Sequence, residues 1–244
     1  MAKTPQHVAA EDSALLELFR VIASGDEVEA ARRLSSSSEL ATRPIGVGAN
    51  REDPDTCFLV AIRHYVYVGD TALHIAAAAH RRGLVALLVA RGADVGARNR
   101  RGAEPLHYAA DGSPGADCWH PASQGEVVGY LVEAGGDPNV LDKSGVAPLH
   151  RAVRSRSSAA VRALLEHGAD PRLMNKSGST PLHLAVQNTG RSGSGSDVAK
   201  GEQRRIIALL LAHGANPTDA DARGKTVEAA TASSWVRDLL HGPG

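Results

Sequence analysis

Aromatic side chains are scarce in this chain: 8 of its 244 residues are Phe, Trp or Tyr. Proteins that hold single-stranded nucleic acid stack bases on exposed rings along a basic groove, so the scarcity argues against that class of partner. Cysteines are fewer still. Cys57 and Cys118 form no Cys-x-x-Cys pair, which excludes a disulfide framework and points to a reducing compartment. Uninterrupted apolar runs are missing as well. None reaches the roughly 18 residues of a membrane-spanning helix, and Glu11 and Asp12 break the opening MAKTPQHVAAEDSALLELF before a signal peptide could form. Net charge is also absent, with 27 Lys+Arg against 27 Asp+Glu. No global attraction to nucleic acid or membrane follows. The balance is uneven along the chain: residues 1–60 carry 6 basic and 10 acidic side chains, the remainder 21 and 17. The expectation is a soluble, cytoplasmic protein whose 43% hydrophobic content suffices for a core.

Four stretches are near copies of one another: TALHIAA (71–77), EPLHYAA (104–110), APLHRAV (147–153) and TPLHLAV (180–186). Their histidines, His74, His107, His150 and His183, are spaced by 33, 43 and 33 residues. A second landmark, Gly92, Gly135, Gly168 and Gly214, is spaced by 43, 33 and 46 residues. Two landmarks that keep the same basic rhythm define an internal repeat with extra length inserted between them.

Residues 142–170 show how one unit is built. Asp142 to Gly145 is turn chemistry. Pro148 stands where a first helical turn tolerates a missing N–H. Leu149, Ala152 and Val153 then mark one helical face, and Val161, Leu164 and Leu165 repeat that spacing. Gly168 stops the second helix. Helices this short are marginal alone and need stacked neighbours to bury their apolar faces.

The TPLH-x-A motif, the 33-residue unit and the Gly-Ala-Asp/Asn endings resemble the ankyrin repeat family. The resemblance implies an all-α solenoid of stacked helix-turn-helix units with β-turn fingers. Full units are expected at 69–101, 102–144, 145–177 and 178–223. After a tail at 1–12, residues 13–68 are expected to form an N-terminal capping helix pair plus an insertion, and 224–244 a C-terminal cap. The resemblance also gives the histidines a structural role, bracing turns through hydrogen bonds to backbone. Metal ligands converge on one point, whereas a solenoid lays equivalent residues along a line.

Three insertions depart from the repeat, at about 35–68, 111–124 and 188–203. The end of the first, PDTCFLVAIRHYVYV, is expected to be a helix capped by Asp53 and started by Pro54, with Phe58, Ile62 and Tyr65 on one face. The second holds Asp117, Cys118, Trp119 and His120 in sequence. The third is rich in Gly and Ser, as linkers are. Gly224-Lys225-Thr226 resembles the end of a phosphate loop, but Asp219 stands where that motif needs glycine. No catalytic residues, metal ligands or cofactor are assigned.

The family resemblance implies a binding face made of fingertips and first helices. The fingertips carry Arg98, Arg100, Arg101, Lys143, Lys176, Arg223 and Lys225, with Asp221 the acid among them. The first helices contribute Tyr108, Asp111, Arg151, Arg154 and Gln187. Tyr108 and Arg151 replace the commoner Leu or Ile and are candidates for exposure or partner contact. Seven cations on the tips of a neutral protein favour an acidic protein surface or segment as partner. The expected function is therefore non-catalytic protein–protein interaction. The alternative is an enzyme or a small-ligand or metal-binding protein, with its site on the insertion edge at Asp111, Asp117, Cys118 and His120.

Overall fold

The computed structural model describes residues 10–49, 55–112, 119–187 and 195–241. Its helices come in pairs. The first pair is α1 (Ala10–Ser24) and α2 (Glu27–Ser36). A short hairpin follows, β1 (Phe58–Leu59) and β2 (His64–Tyr65). Four pairs carry the repeated motif: α3 (Ala72–Ala78) with α4 (Arg82–Ala90), α5 (Pro105–Ala110) with α6 (Pro121–Glu133), α7 (Pro148–Arg154) with α8 (Ser158–Glu166), and α9 (Pro181–Ala185) with α10 (Asp197–Ala212). A last pair is α11 (Val227–Ala230) and α12 (Ser234–His241). Odd-numbered helices stack in one row and even-numbered helices in a second, each on the next of its row. The chain is an all-α solenoid, and its core is continuous from Leu15 in α1 to Leu240 in α12.

Local chemistry sets the ends of these helices. Asp26, Ser157, Ser196 and Thr226 each accept a backbone N–H from the first turn of the helix that follows. Proline occupies the first position of α5, α6, α7 and α9. Gly92, Gly135, Gly168 and Gly214 follow the second helices at φ between +85° and +104°, a conformation costly for any residue with a Cβ.

Each histidine of the repeated motif bridges two units. In all four, Nδ1 accepts the backbone N–H three residues upstream, from Thr71, Glu104, Ala147 and Thr180. Nε2 lies 3.0–3.2 Å from a carbonyl of the next turn, that of Ala103, Val146, Ser179 and Lys225. Because Nδ1 accepts, Nε2 carries the proton and donates it to that carbonyl. The fingers repeat just as closely. The side-chain Oδ1 of Asn99, Asp142, Asn175 and Asp221 accepts two backbone N–H groups of its own turn.

The first insertion differs from the expected helix. Residues 58–65 form an antiparallel hairpin in which Phe58 pairs with Tyr65 and Leu59 with His64. The same aromatic and branched residues that gave a helical spacing also favour strands. Arg63, at φ +51°, turns the chain in a way no helix allows. Leu59, Val66 and Cys57 are buried, so the hairpin packs on the solenoid. Asp53 and Pro54, the expected helix start, lie outside the described residues. Behind the hairpin, residues 45–49 run beside 66–70 through backbone bonds such as Ala49 N–H to Val66 O. Gly48 permits that approach: a Cβ there would lie 2.4 Å from the Val68 nitrogen.

Candidate partner-binding surface

The residue after each repeated histidine occupies equivalent positions along the row of first helices: Ile75, Tyr108, Arg151 and Leu184. Tyr108 and Arg151, candidates for exposure, are only 2% and 8% accessible. The hairpin is the reason for Tyr108. The His64 ring packs over Tyr108 with centroids 4.6 Å apart. Below it, the Tyr108 hydroxyl donates to the wholly buried Asp70 carboxylate at 2.9 Å, and Asn99 Nδ2 donates to both. Arg151 is buried by charge pairing. Its Nη1 donates to Asp111 and its Nη2 to Asp142, each at 3.0 Å. Both residues therefore serve as internal polar pegs.

Burial shifts the ionisable groups of this cluster. Loss of hydration holds His64, His74, His80 and His150 below the ordinary imidazole value, and His107 at about 4. Burial, and then the Asp70 charge, push the Tyr108 phenol upward. At Asp142 burial works upward, but hydrogen bonds from Val146, Arg151 and Ser144 outweigh it and hold the carboxyl below its usual value. Burial opposes the Arg151 charge, yet Asp111 and Asp142 more than compensate and keep the guanidinium ionised.

The fingertip cations are exposed, and several also hold neighbouring fingers together. Lys143 Nζ donates to the Arg100 carbonyl at 2.8 Å, and Lys176 Nζ donates to the Lys143 carbonyl. Arg100 reaches back to the Ala49 carbonyl, and Arg98 pairs with Glu104 at 2.9 Å. Arg101 lies over the Tyr67 ring, 5.0 Å from its centroid. Arg101, Lys143, Lys176, Arg223 and Lys225 make no ion pair among the described residues. Asp111, Arg154 and Gln187 lie toward the opposite edge, where the first helices end. Arg154 and Gln187 are exposed, and Asp111 is half-buried against Arg151.

Two glutamines that sequence reasoning missed anchor the second and third insertions. Gln124 and Gln203 stand at the insertion ends and are fully buried. The Gln124 amide donates to the Ala109 and Asp111 carbonyls, and its oxygen accepts from Trp119 and Ser157. Gln203 repeats the first half of this pattern on the Ala185 and Gln187 carbonyls. Their shared place at the end of an insertion was the available signal. Asp117 and Cys118 lie outside the described residues, and His120 is exposed. Among the described residues, no group of three His, Cys, Asp or Glu side chains is placed to hold a metal ion. No described helix is long and apolar enough to cross a membrane.

Two hollows flank the hairpin. One, of about 220 Å³, lies between the hairpin turn and the ends of the first helices, with Arg63, Arg81, Trp119 and His120 in its wall. The other, of about 200 Å³, runs from the fingers at Tyr67, Arg101 and Ser144 to Arg154 at the end of α7. His64, Tyr108 and Asp111 border both.

Comparison with known families agrees with this architecture. A model of three ankyrin repeats matches residues 119–221, and a single ankyrin repeat model matches residues 68–100. No curated protein matches the chain.

Proposed function

The chain belongs to the ankyrin repeat family, and we propose that it is a non-catalytic module that docks an acidic segment of a partner protein along its fingers and first helices. Ankyrin repeats are generally protein–protein interaction modules. Fold alone does not choose a partner, so the proposal for this chain rests on charge. The observation that carries it is the row of exposed cations on consecutive fingers: Arg101, Lys143, Lys176, Arg223 and Lys225. Backbone bonds join several of these fingers, from Lys143 N–H to Arg101 O and from Ala222 N–H to Ser177 O. The cations are thus held at fixed relative positions, which lowers the ordering cost of binding.

Capture from a lysate with quantitative mass spectrometry tests this reading. The wild type is compared with a triple reversal of Arg101→Glu, Arg223→Glu and Lys225→Glu, three exposed cations whose side chains make no ion pair or hydrogen bond to a neighbouring finger among the described residues. Acidic clients that bind the wild type, lose affinity as salt rises and disappear with the reversal are the expected result. A client set unchanged by the reversal overturns the fingertip reading.

A further inference from the structure

The two hollows beside the hairpin hold unmatched positive charge. Among the described residues, Asp111 and Asp142 are the only acids in their walls, and both are engaged by Arg151. Arg63, Arg81, Arg101 and Arg154 stand around them, and among the described residues none of these four makes an ion pair. Two polar atoms of lining residues, one in the wall shared by both hollows and one in the wall of the second, also lack partners among the described residues. His64 Nε2 and Arg151 Nε are buried and make no hydrogen bond. Buried polar groups in native proteins are rarely left this way. The position of the hollows adds a third point. One opens beside the fingertip row at Arg101 and Ser144, and the other beside the far ends of the first helices at Arg81 and His120.

We infer that the hairpin converts this part of the concave face into a two-lobed anchor for carboxylate side chains of the partner's acidic segment. Arg101 and Arg154 serve the lobe near the fingers, and Arg63 and Arg81 the lobe near the insertion edge. Guanidinium groups suit this task because their paired N–H donors match a carboxylate in planar, two-point contact. Each lobe is large enough for one acidic side chain. Their common border at His64 and Tyr108 gives two successive contacts, as an extended peptide requires. The inference rests on the acidic-partner reading but assigns its strongest contacts to Arg63 and Arg81, residues away from the fingertips.

Trp119 lines the outer lobe and makes the test direct. The chain has one other tryptophan, Trp235, which packs against Arg204 in the last helix pair. In the full chain carrying Trp235→Phe, emission reports Trp119 alone. Titration with a hexaglutamate peptide at low salt should give a saturable change in that emission. Adding Arg63→Glu and Arg81→Glu should weaken binding at least tenfold. All these positions except the half-buried Trp235 are exposed, and circular dichroism checks that each variant folds. If the Arg63/Arg81 variant binds as the parent does while an Arg223→Glu/Lys225→Glu variant is weakened, the anchor is wrong and the fingertip reading stands. If the parent does not bind the peptide, both fall. If free glutarate saturates the signal as tightly as the peptide, the hollow is a small-dicarboxylate site and the peptide anchor is overturned.

Discussion

Tyr108 and Leu184 occupy the same position in two units, each directly after the histidine that bridges to the next turn. In the unit of α5 that position is buried beneath His64 and tied to Asp70 and Asn99. In the unit of α9 it is partly exposed, with no hairpin above it. The repeat itself does not decide whether this row of positions is core or surface. The hairpin at 58–65 decides it, by covering one end of the groove and leaving the other open. The covered end can then carry polar and charged residues that an open groove would leave to water. Burial is stable there because Tyr108, Asp70 and Asn99 bond one another and Arg151 pairs with Asp111 and Asp142.

Substitutions at the equivalent positions give the sharpest test of this contrast. Tyr108→Ala should cost about 3–5 kcal/mol of stability, the usual range for deleting a buried ring, and it removes one of the donors to the Asp70 carboxylate as well. Leu184→Ala should cost clearly less, because that side chain is already partly in water. Urea unfolding midpoints compare the two directly, and equal losses would break the distinction.

Arg151→Met comes next. It removes the counter-charge of Asp111 and Asp142 and should cost about 3 kcal/mol, the low end for breaking a buried pair, because Asp111 remains one-third exposed and partly screened. Restoring stability by adding Asp142→Asn would show that the loss comes from the stranded carboxylate.

Acid should act on the covered end of the groove. His64, His74, His80, His107 and His150 have depressed values in the folded chain, so the unfolded chain takes up protons first. Stability is complete above the ordinary imidazole value of about 6.5 and falls as pH drops through the folded values. For His107, whose folded value is about 4, the loss over that window amounts to up to about 3 kcal/mol. Urea midpoints between pH 7.5 and 4 measure it, and a flat profile would contradict neutral, buried imidazoles. The smallest expected effect is Thr180→Ala, which removes a helix cap in the open unit and should cost about 1 kcal/mol.

The repeated parts were legible because their signals are local. A glycine past a helix acts within its own unit, as does a histidine's cap on the N–H three residues upstream, so four copies revealed each rule. The hairpin was not legible. Phe58, Ile62 and Tyr65 suit one face of a helix, but they also suit a strand pair, and the choice depends on packing against distant helices. Tyr108 and Arg151 were noticed as departures from the family pattern. Their burial was missed because the partners that accept them, Asp70 for one and Asp111 for the other, lie 38 and 40 residues upstream in the chain. Gln124 and Gln203 escaped notice because a lone glutamine carries no pattern until both insertions are seen to end on one.

The histidine bridges have a consequence for how this chain is made. Every one points the same way, from a motif to a carbonyl 29 to 42 residues further along. During synthesis each unit therefore stays unlatched until the following turn has left the ribosome, and the solenoid closes tooth by tooth, like a zip. Losing one latch frees a motif from the turn that follows it, so the solenoid can part between those two units while the other latches hold.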